Sequence, residues 1–413
     1  MNTRIFATGV GVISSLAAGA DEFEVALYEG RSGIGPRSLF ADIVPGGSAG
    51  EVRDFAPQRW LGNKGLRVLD RSARLLCVAA HMALGESGLA QEPGTEGDSE
   101  LGLVCGTMFG SVHSITSFDW SGLIDGPNLV NPMEFPNTVI NSPAGQAAIK
   151  HKLRGVNSTI SAGLVSGLYA IHYAMEFLRF GRAHALLAGG VEELCEESYL
   201  SFRKIGIASA RDRLRPFAPD RDGTILGEGS ALCMLETREG ALRRGAAPLF
   251  EVCGFGAAHD AHRIDEFDVR ARGATSAIEL ALKAAEIRPD AVGCIIAGAN
   301  GSKTGDAMEA RALKNVFGKR LPEIPLCAPK AAFGEALGAS GALLAVTAGI
   351  ALRRRVLPPT AGFEEGDGEL LLSASPQPFE QDYALVNCFG CDGNNASLVL
   401  RAFEDGEGSR RVY

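Results

Sequence analysis

Acyl and carbonyl groups are often attacked from a sharp strand-to-helix turn. Such a turn exposes one side chain at a helix N-terminus, where the helix dipole faces the developing anion. Residues 156–181, VNSTISAGLVSGLYAIHYAMEFLRFG, have that composition. Thr159 and Ile160 favour a strand, and Ala162 and Gly163 permit a tight turn. Leu164, Leu168, Ile171, Met175 and Leu178 then recur at the spacing of one helix face, with Gly181 placed to cap the helix. The side chain at the turn is Leu164, which has no nucleophile to offer. Ser166, two residues on, has no basic partner nearby in sequence and reads as a helix-start residue. Lys330 and Glu335 read as a structural ion pair. The nine cysteines lie singly in apolar runs, apart from Cys388 and Cys391, and read as reduced, buried thiols, Cys388 included. None of the seven histidines lies beyond His262, so neither a metal centre nor a cofactor is expected.

The elements that must position these groups alternate between strand and helix, which points to α/β layering. An Ala/Leu-rich helix at 72–87 is followed by a polar, glycine-rich loop at 91–100 and an apolar strand at 101–105. A Pro-flanked loop is expected at 133–138, a helix after the Ser-Pro pair at 141–152, and a strand at 184–188. A second unit starts near Leu249, where FEVCGFG at 250–256 echoes the opening strand and 295–297 echoes 103–105. In each half a glycine-rich turn feeds a late apolar strand, at 227–235 and at 393–400. These echoes are too weak to establish a repeat unaided. The first 20 residues carry three glycines, two serines and two threonines, and read as a buried strand and turn rather than a signal peptide. With 46% hydrophobic and 22% charged residues in 413, the composition is that of a soluble globular protein. The net charge of −9 argues against nucleic acid and anionic membrane as partners.

Five segments together resemble the condensing ketosynthases of fatty-acid and polyketide synthesis. They are ATGVGVI at 7–13, AGLVSG at 162–167 against an elbow that usually reads T-A-C-S-S-G, and RPFAPDRDGTILGEG at 215–229. The last two are KAAFGEALG at 330–338 and NCFGCDGNN at 387–395. The resemblance spans nearly the whole chain. It implies a thiolase-like five-layer αβαβα fold with two pseudo-duplicated halves, placed at 1–248 and 249–413. It fails at the reactive residues. Leu164 stands at the cysteine. The first histidine, in H-G-T-x-T-x-x-G-D, aligns without a gap to Gly298 of AGANGSKTGD at 297–306. The second, in K-x-x-x-G-H-x-x-G, aligns to Glu335, and Lys330 alone is retained.

A ketosynthase-like chain without its nucleophile and histidines resembles the chain length factor, or beta-subunit, of type II polyketide synthases. That resemblance implies a cytoplasmic protein that is no enzyme on its own. Such a subunit pairs with a cysteine-bearing ketosynthase as a heterodimer and shapes the shared polyketide or polyene tunnel. In the resembled family the strand here formed by Val156, Asn157, Ser158, Thr159, Ile160 and Ser161 pairs across the dimer interface. Side chains after the 101–105 strand line the tunnel, here Val112, Ile115 and Asp119 on one helix face, with Phe118 and Trp120 as candidates for its floor. Phe389 matches the phenylalanine gate beside the cysteine. An acyl carrier protein is the expected second partner, met mainly through the ketosynthase, with Arg211, Arg213, Arg215 and Arg353, Arg354, Arg355 as basic clusters able to contribute. Two alternatives stand beside this reading: a free-standing acyl-carrier-binding pseudo-enzyme, and an active acyltransferase with an unrecognised nucleophile.

Overall fold

A computed structural model describes residues 3–91, 96–211, 213–263, 266–366 and 368–403. Residues 92–95 of the polar loop expected at 91–100 therefore lie outside the described residues. In the main sheet, five strands come from the first half: β1 (Ile5–Ser14), β2 (Leu101–Gly106), β3 (Asn157–Ile160), β4 (Ala185–Glu192) and β5 (Gly229–Thr237). Five form the second: β6 (Phe250–His259), β7 (Val292–Ile296), β8 (Leu326–Cys327), β9 (Tyr383–Phe389) and β10 (Asn394–Ala402). β1 is antiparallel to β5 and β5 to β4, while β4, β2 and β3 run parallel. The second half repeats this pattern, with β6 antiparallel to β10, β10 to β9, and β9, β7 and β8 parallel. The faint sequence echoes are thus a true topological duplication. The halves join where Ile5–Ala7 pairs antiparallel with Phe250–Val252, so the hydrogen bonding runs through one ten-stranded ladder.

The helices fill three layers around this sheet. α1 (Arg71–Ser87) and α3 (Ser142–His151) cover the outer face of the first half. α4 (Ser166–Arg179) and α7 (Ser340–Arg354) pack on each other in the middle, and α5 (Arg272–Ala284) and α6 (Lys303–Phe317) cover the outer face of the second half. One further helix, α2 (Val112–Ile124), stands apart from these layers. Because side chains alternate along a strand, each strand supplies two cores. In β5, Ala231, Cys233 and Leu235 face the middle layer, while Leu232 and Met234 face α1. In β9, Ala384, Val386 and Cys388 face the middle layer, while Leu385 and Phe389 face the outer helices of the second half. α7 is buried along Ser340 to Leu352, so its sequence is apolar or small all round rather than on one stripe.

β1 and α1 lie so close that a Cβ at Gly11 would sit 1.9 Å from the carbonyl oxygen of Ala79. That neighbour is backbone and cannot swing away. Gly11→Ala is therefore expected to destabilise the fold by at least the about 1–3 kcal/mol of an overpacked core. The urea midpoint should fall without a change in slope. An unchanged midpoint would show that the two elements can separate at little cost.

Candidate functional site

The turn after β3 is built as its composition requires. Gly163 has φ +65°, in the left-handed region, and its missing Cβ leaves room for the Asp392 carboxylate. Asp392 is itself held by Asn394, whose backbone and side-chain amides both donate to it, at 3.2 and 2.9 Å. Leu164 follows at the turn, 3% exposed and packed into the central core. α4 begins at Ser166 rather than at Leu164. The Ser166 hydroxyl is consumed by the turn: it donates to the Gly163 carbonyl at 2.6 Å and accepts from the Ala162 N–H at 2.9 Å. Cys388 is fully buried, with its Sγ 3.2 Å from the Leu164 carbonyl oxygen. Burial pushes its thiol up to about 12 against the opposing pull of Lys330, so it carries no thiolate near neutral pH.

Beside the elbow lies a closed ionic network. Lys330 and Glu335 are fully buried, with Nζ 2.7 Å from Oε2. The same oxygen accepts from Asn300 Nδ2 at 2.8 Å, and Oε1 accepts from the Ser340 hydroxyl at 2.5 Å. Burial works against the Lys330 ammonium, the Glu335 charge works for it, and the net effect raises its pKa. Asn300 is in turn positioned by Asp306 at the start of α6, whose carboxylate accepts from the Asn300 N–H at 3.1 Å. Burial pushes Asp306 up to about 6. Nearby, Glu309 is pushed up to about 7, again by burial, and accepts from Asn387 Nδ2 at 3.0 Å and the Gly298 N–H at 3.1 Å.

This geometry corrects two expectations. The side chain that reaches Glu335 is Asn300, not a group at Gly298, whose backbone only donates to Glu309. The loop is two residues short of the family motif, and matching Asn300-Gly301-Ser302 to H-G-T with a gap would have found it. Phe389 is 5% exposed and packs in the core of the second half. The side chain over the elbow turn is Asp392, three residues on.

Sequence reasoning also missed Glu192, at the end of β4. Its fully buried carboxylate accepts from the N–H groups of Met108, Phe109 and Gly338 at 2.6, 3.0 and 3.1 Å, and from the Thr107 hydroxyl at 3.2 Å. It thereby ties the turn ahead of α2 to the segment that follows Glu335. Burial holds it at about 7.

The tunnel candidates lie on α2, none of whose residues is buried. Val112, Ile115 and Phe118 are half-buried, Asp119 is exposed, and Trp120 is 64% exposed. Phe118 packs on Phe135 with the ring centroids 5.9 Å apart and the planes tilted by 58°, and Leu123, Ile124, Leu129 and Met133 extend the exposed apolar surface. β3, from Asn157 to Ile160, is the edge strand of the sheet and pairs only with β2 among the described residues. Val156 and Ser161 flank it as loop residues, the latter donating to the Met108 carbonyl at 3.1 Å. Both basic clusters are ion-paired. Arg211 and Arg215 meet Asp220, Arg213 and Arg215 meet Glu364, Arg353 and Arg354 meet Glu24, and Arg355 meets Asp382. Among the described residues, no helix is long and apolar enough to cross a membrane.

The ten-stranded ladder, the middle helix pair and the elbow before α4 define a condensing-enzyme-type αβαβα protein. The Beta-ketoacyl synthase N-terminal domain matches residues 2–241 and the Beta-ketoacyl synthase C-terminal domain residues 249–364. The chain belongs to the beta-ketoacyl synthase family. It is 32% identical to 3-oxoacyl-[acyl-carrier-protein] synthase 2 of Coxiella burnetii over 97% of this chain and 99% of that one. It is 31% identical to Nodulation protein E of Rhizobium leguminosarum bv. trifolii, over 97% and 100%. Among solved structures it superposes on the ishigamide ketosynthase/chain length factor with a TM-score of 0.89 at 29% identity, covering 98% of this chain and 100% of that one. The synthase relatives overturn the expectation that the chain is no enzyme on its own. Five of them, each 30–32% identical over at least 96% of this chain, are named as condensing synthases. Lacking a cysteine and two histidines at the aligned positions does not by itself remove a chain from that catalytic family.

Two outcomes follow from the buried charges. Removing one partner of Lys330–Glu335 strands the other in the core, so Glu335→Ala should cost about 3–5 kcal/mol. The double replacement Lys330→Met, Glu335→Leu should recover a large part of that loss in urea denaturation. A double variant no more stable than the single one would show that Asn300 and Ser340, not the charge pair, carry the stability.

Glu193 is the second outcome. It is 4% exposed, its Oε2 accepts from the Ser72 N–H at 3.1 Å, and its Oε1 has no partner. Burial, and then Asp70, push it up to about 8. A carboxylate raised on folding binds more protons in the folded than in the unfolded state between its two pKa values. Its contribution is therefore present at low pH and is lost as pH rises from about 5 to about 8. Glu193→Gln keeps an oxygen for Ser72 and should flatten the pH dependence of the urea midpoint by on the order of 1 kcal/mol per pH unit in that window. An unchanged slope would place the titration elsewhere.

Proposed function

We propose that the chain is the chain length factor of a ketosynthase pair, shaping the tunnel in which a polyketide or polyene chain grows. The observation that carries this reading is the state of α2 and β3. A 13-residue helix with no buried residue, exposed Trp120, Leu123, Ile124 and Met133, and an open sheet edge at β3 are surfaces made to be covered. The likeness to a ketosynthase/chain length factor structure supports a heterodimer, and neighbours that include a ketosynthase with its acyl-carrier protein support carrier-borne substrates. A stable interface of this kind buries about 2,000 Å² or more and is largely apolar.

A second reading is favoured by the names of the synthase relatives: an active acyltransferase that works through groups other than a cysteine at the elbow. The two separate in one experiment. The chain is assayed for malonyl-dependent elongation alone and after co-expression with the cysteine-bearing ketosynthase of its own source. The first reading expects pairing with this chain to set the length of the product, and elongation by the isolated chain with a length distribution that pairing leaves unchanged would establish the second.

Within the pair, Val112 and Ile115 are the half-buried members of one face of α2. Filling that face should stop growth early. Val112→Phe and Ile115→Phe are each expected to shorten the product by at least one extension unit, read by mass spectrometry. An unchanged length distribution with an intact pair and undiminished turnover would remove both residues from the tunnel wall.

A further inference from the structure

α2 buries no residue, so its place depends on the few bonds that reach it. Among the described residues, two of its side chains hydrogen-bond to other elements, and both lie in its first turn. His113 Nδ1 lies 3.2 and 3.3 Å from the two carboxylate oxygens of Glu197, on the helix Glu196–Lys204. The Ser114 hydroxyl donates at 3.1 Å to Oδ2 of Asp70, whose Oδ1 caps α1 by accepting from the Ala73 N–H at 2.8 Å. Both anchors of α2 are therefore carboxylates, each on a different element.

Acids outnumber bases around this turn. Glu197 faces His113 directly, and Glu193 and Glu196 face it from close by. Asp70 and Glu192 face Glu193 in turn. The other cation facing Glu193 is Arg71, which also faces Glu51 but is held by Glu228, with Nε 2.7 Å from Oε2. His113 is thus the base that balances the acids at α2, and it is half-exposed, so protons reach it from solvent.

The Glu197 hydrogen bond, outweighing burial, raises the His113 imidazole above its ordinary range. A base raised on folding contributes stability that is fully present below its unfolded pKa of about 6.5 and is lost as pH rises through the higher folded value. Glu193, pushed up to about 8, ionises as pH rises further. Raising the pH through neutrality therefore removes a positive charge beside the first turn of α2 and adds a negative one.

We propose that the docking of α2 is a proton-operated latch, in which the charged His113 imidazole clasps Glu197 and holds the first turn down, and the neutral imidazole lets it loosen. The latch acts within the isolated chain and does not depend on whether a partner covers α2.

Hydrogen exchange of the isolated full chain, timed in milliseconds and corrected for the intrinsic rate at each pH, tests it, with residues 340–352 as internal reference. Protection at 112–124 is expected to fall about threefold from pH 6 to pH 8, as befits a half-exposed ion pair. In His113→Gln it should stay near the pH 8 level at both values. Glu197→Gln should do the same and return the imidazole titration, followed by NMR, toward its ordinary range. Protection at 112–124 that does not change with pH, a fall of the same size in His113→Gln, or an imidazole titration unmoved by Glu197→Gln would overturn the proposal.

Discussion

A lysine ammonium and a glutamate carboxylate buried together without water are tolerable only if every remaining hydrogen-bonding position is filled. Lys330 and Glu335 meet that condition through Asn300 and Ser340, and the partners come from different parts of the chain. Asn300 lies on the loop before α6, Ser340 opens α7, and the Glu335 backbone is hydrogen-bonded to 225–227 of the other half. The network thus fixes the middle layer against both halves at the place where the elbow delivers Leu164. Glu192 does the same from the first half, joining the turn before α2 to Gly338. Placement of α2 is therefore coupled to the same few buried carboxylates that shape the site.

Strands β1, β2, β4 and β5 were legible in the sequence because each is buried on both faces and reads as a short, largely apolar run. The opening strand, expected in preference to a signal peptide, is β1 at the centre of the ladder. The duplication was visible only as echoes, since equivalent strands share topology and environment but few residues. The elbow was recognisable from Gly163 and the helical spacing after it. Helix α4 nonetheless starts two residues later than that spacing implied, because Leu164 belongs to the turn although it packs in the same core as the helix face.

The site was less legible than the fold. Gly298 was matched to the first histidine because a gapless alignment ignores the shortened loop, and only the side-chain geometry identifies Asn300 as the group that reaches the Glu335 carboxylate. Phe389 could be matched by type but not by direction, and the strand pleat sends it into the outer core. Glu192 carries no motif at all. It is recognisable only from the three backbone N–H groups that converge on it.

What the fold leaves open is as informative as what it closes. The cores are filled, yet α2 and the β3 edge bury nothing of their own. Amide hydrogen exchange at 112–124 and 157–160 tests the claim that a partner covers them, comparing the isolated chain with the chain co-purified with its cysteine-bearing ketosynthase. Fast exchange alone and strong protection in the pair, confined to these two segments and the 129–140 surface, is the expected result. Equal exchange in both states would contradict the account.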